Sequence, residues 1–310
     1  MQARVLEEIL QTQPESRLLF RYANGGYAPK LLYWLVGEGV RVQALKASAF
    51  KPLVAQPALT PALAAAGSGF LKRQHLSLCD TADALIYRLG LGAWRHKGQG
   101  FQMSRPGHQL VLQLNFTGEH DMAYRSTLRP GNAHPFTYWD HPVSREGFNT
   151  LAWARIDVDF DTGEALIDEL QTDWVRFASR AYERAKVDGR IQLDGRWIPV
   201  ERVGRYVNRV LRPHAKAWDE AMLSAAIHFI RSDLGLNRIY LHDADTGARL
   251  KGIYGALPPR SLYTDLPRRF CFRRIEGMPE FLVTGMRRRL AALAKSAPLR
   301  IWRIDLEPVA

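Results

Sequence analysis

The sequence predicts a mixed α/β (α+β) fold, with a mixed twisted sheet flanked by helices and a smaller α/β region at the N-terminal end. Two observations carry this. Strand-like runs alternate with helix-like runs along most of the 310 residues, and no internal repeat or low-complexity tract breaks the pattern. The stretch ALIDELQTDW, residues 165–174, opens as an interior strand with Leu166 and Ile167 and closes in acids and amides. Hydrophobic residues make up 46% of the chain, which suits a globular protein with a sizeable core.

The elements follow in order. RLLFRY (17–22) reads as a strand, the turn at Asn24-Gly25-Gly26 leads into a helix over YAPKLLYWLVGEG, and VRVQAL (40–45) reads as a second strand. PALTPALAAAGSG (57–69) holds two prolines and reads as a short helix or a covering loop. CDTADALIYRLGLG predicts a helix, with Asp80 or Thr81 as N-cap and Gly90 near its end. The glycine-rich, basic segment 94–108 suggests a hinge, so residues 1–97 are expected to form the N-terminal region and 98–310 the mixed-sheet domain.

QLVLQLNF alternates like a strand with one wet face, and the Pro, Gly and His-rich segment 124–149 reads as mostly loop. WARIDVDF and ALIDEL around Asp161-Thr162-Gly163 predict a hairpin whose second strand is central to the sheet. WVRFASRAYERAKV is helical, and RIQLDGRWIPV is a second hairpin turning at Asp194-Gly195. Trp218, Met222, Ala225 and Phe229 line one face of a helix, with Asp219 and Glu220 in its first turn. NRIYLHD then reads as a strand, MRRRLAALAK as a basic helix and LRIWRIDL as a last strand.

The net charge is +12 and unevenly spread. Residues 151–200 hold 7 Lys and Arg against 10 Asp and Glu, a net of −3, and residues 201–310 hold 20 against 11, a net of +9. Such an excess favours a polyanionic partner: DNA, RNA or a phosphate-bearing cofactor. Arg268, Arg269, Arg273, Arg274, Arg287, Arg288 and Arg289 lie near Phe270, Phe272 and Trp302 in sequence, which suggests phosphate contacts with base stacking. A solvated helix face over core aromatics is the plainer alternative. No apolar run is long enough to span a membrane, no secretory peptide is visible, and Cys79 and Cys271 are too few for a disulfide framework. A cytoplasmic location is therefore expected.

Strict alternation puts Glu169, Gln171 and Asp173 on one sheet face and Asp168 and Thr172 on the other. Such groups are solvated, paired with arginines or lining a site, because burying them unpaired costs several kcal/mol. Arg125 and Arg155 are the expected cationic partners. The nine histidines show no metal-binding spacing, and no metal site is expected.

Asn149-Thr150-Leu151-Ala152, Arg155 and Glu169-Leu170-Gln171-Thr172-Asp173-Trp174, with Tyr138-Trp139 upstream, resemble a motif of large polyvalent proteins of bacteriophages and prophages, over roughly residues 124–272. The C-terminal half resembles GNAT acyltransferases more weakly. That resemblance implies Tyr263, in SLYTDLPRRFCF, as the acid that protonates a coenzyme A thiolate and Glu169 as a base. It also implies acetyl-coenzyme A as the cofactor, with Arg176 and Arg180 standing where that family has a glycine turn for the pyrophosphate. Arg125-Ser126-Thr127 with Glu169 resembles ADP-ribosyltransferases, which makes NAD the alternative cofactor. The function expected is thus a mobile-element group transferase acting on a macromolecule, with an NAD-using enzyme and a non-enzymatic nucleic-acid binder as rivals.

Overall fold

The computed structural model describes residues 1–12, 19–79, 83–95, 102–131, 136–138, 140–144, 147–253, 255 and 259–309. Its strands are β1 (Leu19–Tyr22), β2 (Val40–Arg41), β3 (Phe70–Leu71), β4 (Leu85–Arg95), β5 (His108–Asn115), β6 (Thr150–Asp159), β7 (Glu164–Gln171), β8 (Arg190–Leu193), β9 (Arg196–Pro199), β10 (Arg238–His242), β11 (Arg273–Glu276) and β12 (Arg300–Asp305). The α-helices are α1 (Ala3–Thr12), α2 (Tyr27–Leu35), α3 (Val42–Ala47), α4 (Lys51–Val54), α5 (Thr60–Ala65), α6 (Arg73–Leu76), α7 (Gly118–Leu128), α8 (Asp173–Asp188), α9 (Val200–Arg205), α10 (Arg212–His228), α11 (Ala244–Lys251), α12 (Asp265–Arg269) and α13 (Glu280–Ala294).

Eight strands form one mixed sheet in the order β1-β4-β5-β6-β7-β10-β12-β11. Every neighbouring pair is antiparallel except β7 and β10, which run parallel. The expected hairpin β6–β7 is present, and β7 lies in the interior of the sheet with Leu166 and Ile167 fully buried. The hinge expected near residue 97 falls between β4 and β5, which pair from Arg88–Asn115 to Arg95–His108. The N-terminal region therefore shares the sheet of the larger part.

Four local expectations are corrected. The helix expected over residues 79–92 is β4, while its supposed N-caps Asp80 and Thr81 lie outside the described residues. Ile86 and Tyr87 favour an extended chain, and Gly90 and Gly92 disfavour a helix. The strand expected over residues 40–45 shrinks to β2, followed at once by α3. Residues 118–128 are a helix, so Tyr124 and Arg125 do not lie in a loop. The helix bearing Trp218 begins at Arg212, so Asp219 and Glu220 sit inside it, where they pair with Arg269.

One sheet face carries Ala165 and Ile167 of β7 and packs under α8 and α10 in the main core, with α2 against α10. That core holds an aromatic cluster with two histidines. Phe116 stacks on His120 at 3.4 Å, Trp174 Nε1 donates to Tyr206 Oη at 2.5 Å, and His214 Nδ1 lies 3.1 Å from Tyr87 Oη. Burial lowers the pKa of both rings, that of His214 to about 3, with the charge of His120 adding to the effect. The other face carries Leu166 and Tyr240 under Leu250 of α11 and Phe281, Leu282 and Leu290 of α13. The wet face expected on β5 is absent, since Gln109, Gln113 and Asn115 are all buried.

Candidate functional site

The site lies at the carboxyl end of β7. This strand stays paired with β6 as far as Gln171 but with β10 only as far as Ile167. Arg155 faces Glu169 and Ile156 faces Ile167, so Asp168 is an extra residue on β7. A bulge of this kind turns two successive side chains toward one face. Asp168 and Glu169 therefore both leave the main-core face, which corrects the opposite placement that strict alternation predicts.

Glu169 pairs with Arg155, whose side chain is 1% exposed. The same guanidinium donates to Gln102 O at 2.8 Å and lies over the Trp94 ring at 5.0 Å. The expected Glu169–Arg155 pair is thus formed. Arg125 is not part of it: it is exposed on α7, whose buried Tyr124 packs against Trp174 in the main core, on the opposite face of the sheet. Ser126 is exposed on the same helix, so the Arg-Ser-Glu set of an NAD-using site is not assembled.

Asp168 is fully buried in a set that the sequence reading missed. It accepts from the Ser104 hydroxyl and from Gln109 Nε2 at 2.6 Å, and its carboxylate lies 2.8 Å from His242 Nε2. Ser104 Oγ lies 2.6 Å from that same ring nitrogen. The composition is Ser-His-Asp, but hydroxyl and carboxylate meet one nitrogen, so the ring cannot relay a proton between them. Burial opposes ionisation of Asp168, yet the Lys251 charge and the His242 bond hold its carboxyl well below the usual range. Burial lowers His242 in turn. The signal for this set is polar residues, Gln109 and His242, placed in otherwise apolar strands.

Gln171 and Asp173 complete the strand end. Gln171 Nε2 donates to Asp173 Oδ1 at 3.0 Å, and His141 Nδ1 lies 2.5 Å from Asp173 Oδ2. Arg176 also pairs with Asp173, at 2.6 Å. Burial opposes ionisation of Asp173, but the His141 bond, Gln171 and Arg176 together lower its pKa. Asp173 is the first residue of α8, and the Thr172 hydroxyl caps that helix by accepting from Val175 N. This helix start is where the resemblance to GNAT acyltransferases would place a coenzyme A pyrophosphate. It has no glycine to bring the backbone close, an acid stands in its first turn, and Arg176 is spent on that acid. Arg180 is exposed one turn further along. The residues present do not fit a pyrophosphate.

Tyr263 fills the gap left where β7 and β10 part. Its hydroxyl accepts from Leu170 N at 3.3 Å, and the side chain is buried. Burial, then the Glu169 charge, pushes its pKa up, so the phenol stays protonated.

The arginines expected to bind nucleic acid are mostly tied to acids. Arg268 pairs with Asp265, Arg269 with Asp219 and Glu220, Arg273 with Asp305, and Arg274 with Asp243 at 2.7 Å. Arg289 donates to Leu250 O, and Arg287 and Arg288 are exposed on α13. Phe270, Phe272 and Trp302 are buried, so none is open to a base. Trp139 of the phage-type motif and His134 lie outside the described residues. Cys79 and Cys271 are free and buried. Among the described residues no helix is long and apolar enough to cross a membrane. Comparison with models of known families, with curated proteins and with solved structures finds no match to this chain.

Proposed function

We propose that the chain is a group transferase of GNAT-like build acting on a macromolecule, with its transfer point where β7 and β10 part. The observation that carries this is the Leu170 N–H, free of β10 and held by the buried Tyr263 hydroxyl. Because that N–H donates to the Tyr263 oxygen, the phenol's own O–H is left as the donor to a carbonyl oxygen, and a better one to the oxyanion formed when that carbonyl is attacked. The Tyr263 phenol, protonated and beside it, can hand its proton to the leaving atom. The point lies at the carboxyl ends of the sheet's parallel pair, where α/β sheets collect ligands. In this reading the enzyme is a mobile-element protein, supported by the resemblance of residues 124–272 to large polyvalent phage proteins.

Since α8 offers no seat for a pyrophosphate, the donor is recognised at its acyl end. The test compares acetyl-coenzyme A with S-acetyl-N-acetylcysteamine, a thioester lacking the nucleotide, in the presence of a polyamine acceptor, scored by thiol release. We expect the two thioesters to be turned over at similar rates, and Tyr263→Phe to lose both activities with little change in melting temperature. Absence of turnover and of any thermal shift with either thioester would overturn the proposal. A strong preference for acetyl-coenzyme A that disappears in an Arg176→Ala, Arg180→Ala variant would overturn the statement about the pyrophosphate alone.

A further inference from the structure

The β8–β9 hairpin projects a surface that the transfer site does not use. Asp194 and Gly195 at its tip both have positive φ, 46° and 81°, which makes a tight turn. The hairpin packs on α8 and α9, and a Cβ on Gly131, beyond the end of α7, would run into the Asp194 carbonyl. Arg202 of α9 donates to Thr127 O at 2.9 Å, which draws α7 into the same surface.

Five arginines gather there: Arg129, Arg190, Arg196, Arg202 and Arg205. Among the described residues none of them has a carboxylate within ion-pair distance. Burial, then the like charges of Arg129 and Arg205, lowers the pKa of Arg202, which places both of these cations close to it. The acids nearby are Asp194 and Glu201, and Asp188 is engaged by Arg184 at 3.6 Å. Cations left together without a carboxylate partner contrast with the region after Arg268, where most are neutralised. On the hairpin, Trp197 is 57% exposed, and the Arg190 guanidinium lies 4.4 Å from its ring centroid. With Arg190 on one side, the indole can take a flat ring on the other.

We infer that the hairpin, α9 and the end of α7 form a docking surface for single-stranded nucleic acid, with Trp197 stacking on a base and Arg129, Arg196 and Arg205 on the phosphates. The choice of a single strand follows from Trp197, since a duplex keeps its base faces stacked internally. The positive charges match a phosphate backbone. This inference is independent of the transfer reaction.

The test is fluorescence anisotropy with labelled oligo(dT) and oligo(U) of about fifteen nucleotides, a length suited to one such surface. Affinity is measured across salt concentrations on the full chain. Trp197→Ala should weaken binding by roughly 5- to 100-fold without changing the salt slope, as loss of one stacked base does. The Arg129→Gln, Arg205→Gln variant should flatten the log-log salt slope by about 1.4, at about 0.7 per phosphate contact for a single strand. Circular dichroism and melting temperature confirm that both variants fold. Failure of the wild type to bind at about 50 mM salt would overturn the inference. So would equal affinity for duplex with no effect of Trp197→Ala, or equal competition by poly-glutamate. Loss of binding only in an Arg287→Gln, Arg288→Gln variant would move the site to α13 and overturn it as well.

Discussion

Lowering the pH should unfold this protein from its aromatic core outward, and His214 is the residue on which the effect can be worked out. Its ring lies edge-on to Phe116 and His120, and burial brings its pKa from 6.5 to about 3. The unfolded chain takes up a proton below 6.5 that the folded chain refuses. Stability from this group is therefore full above 6.5 and is lost progressively as pH falls toward about 3. At about pH 5 the difference amounts to about 2 kcal/mol, and at about pH 7.5 to almost nothing. His120, His228 and His242 are lowered as well and act in the same direction. The isolating experiment is His214→Gln, which keeps a hydrogen-bonding group for Tyr87 but does not titrate. Urea denaturation followed by tryptophan fluorescence should show the variant less stable than wild type near pH 7.5. The gap should narrow by about 2 kcal/mol near pH 5. A gap that stays constant over this range would mean that His214 takes up its proton in the core as readily as in the unfolded chain, and the argument from burial would fail.

Three further outcomes are expected. Glu169→Gln takes the carboxylate from the buried Arg155 guanidinium, so urea denaturation should show a loss of about 3 kcal/mol, and a loss under about 1 kcal/mol would mean that water reaches the pair. Gly90→Ala would set a Cβ 2.8 Å from Gln113 Oε1 and 2.9 Å from Asn115 Nδ2, displacing two buried amides and costing about 1–3 kcal/mol by the same assay. Thr172→Ala removes the α8 cap and should cost about 1 kcal/mol, whereas Thr172→Ser should restore most of it.

The mixed sheet and the interior position of ALIDEL were legible because Leu166 and Ile167 sit in an apolar run flanked by turn residues. The Arg155–Glu169 pair was legible because a buried carboxylate needs a cation and Arg155 lies on the adjoining strand of a predicted hairpin. The partners of Asp168 were not. Ser104, Gln109, His242 and Lys251 are spread over residues 104–251, and only the sheet order brings them together. The helix wrongly expected over β4 shows a related limit. LIYRLGLG fits both periodicities over so short a span, and the decision comes from β1 and β5 on either side of it. The surface around Trp197 was missed for another reason: runs of arginine draw the eye, but charge left unpaired depends on which acids fold back, as they do onto Arg269, Arg273 and Arg274.

The extra residue at Asp168 works as a frameshift in three dimensions. Upstream of it, odd-numbered residues Ala165 and Ile167 look into the main core; downstream, odd-numbered Glu169 and Gln171 look away from it. Flattening the bulge with the residue kept would restore strict alternation and drive a glutamate and a glutamine beneath α8 and α10, whereas deleting residue 168 would leave both sides as they are and remove only its buried carboxylate. Anyone grafting this strand end onto another scaffold must carry the bulge geometry if residue 168 is kept, and anyone aligning distant sequences should expect a one-residue gap there to leave Glu169 and Gln171 facing as they do.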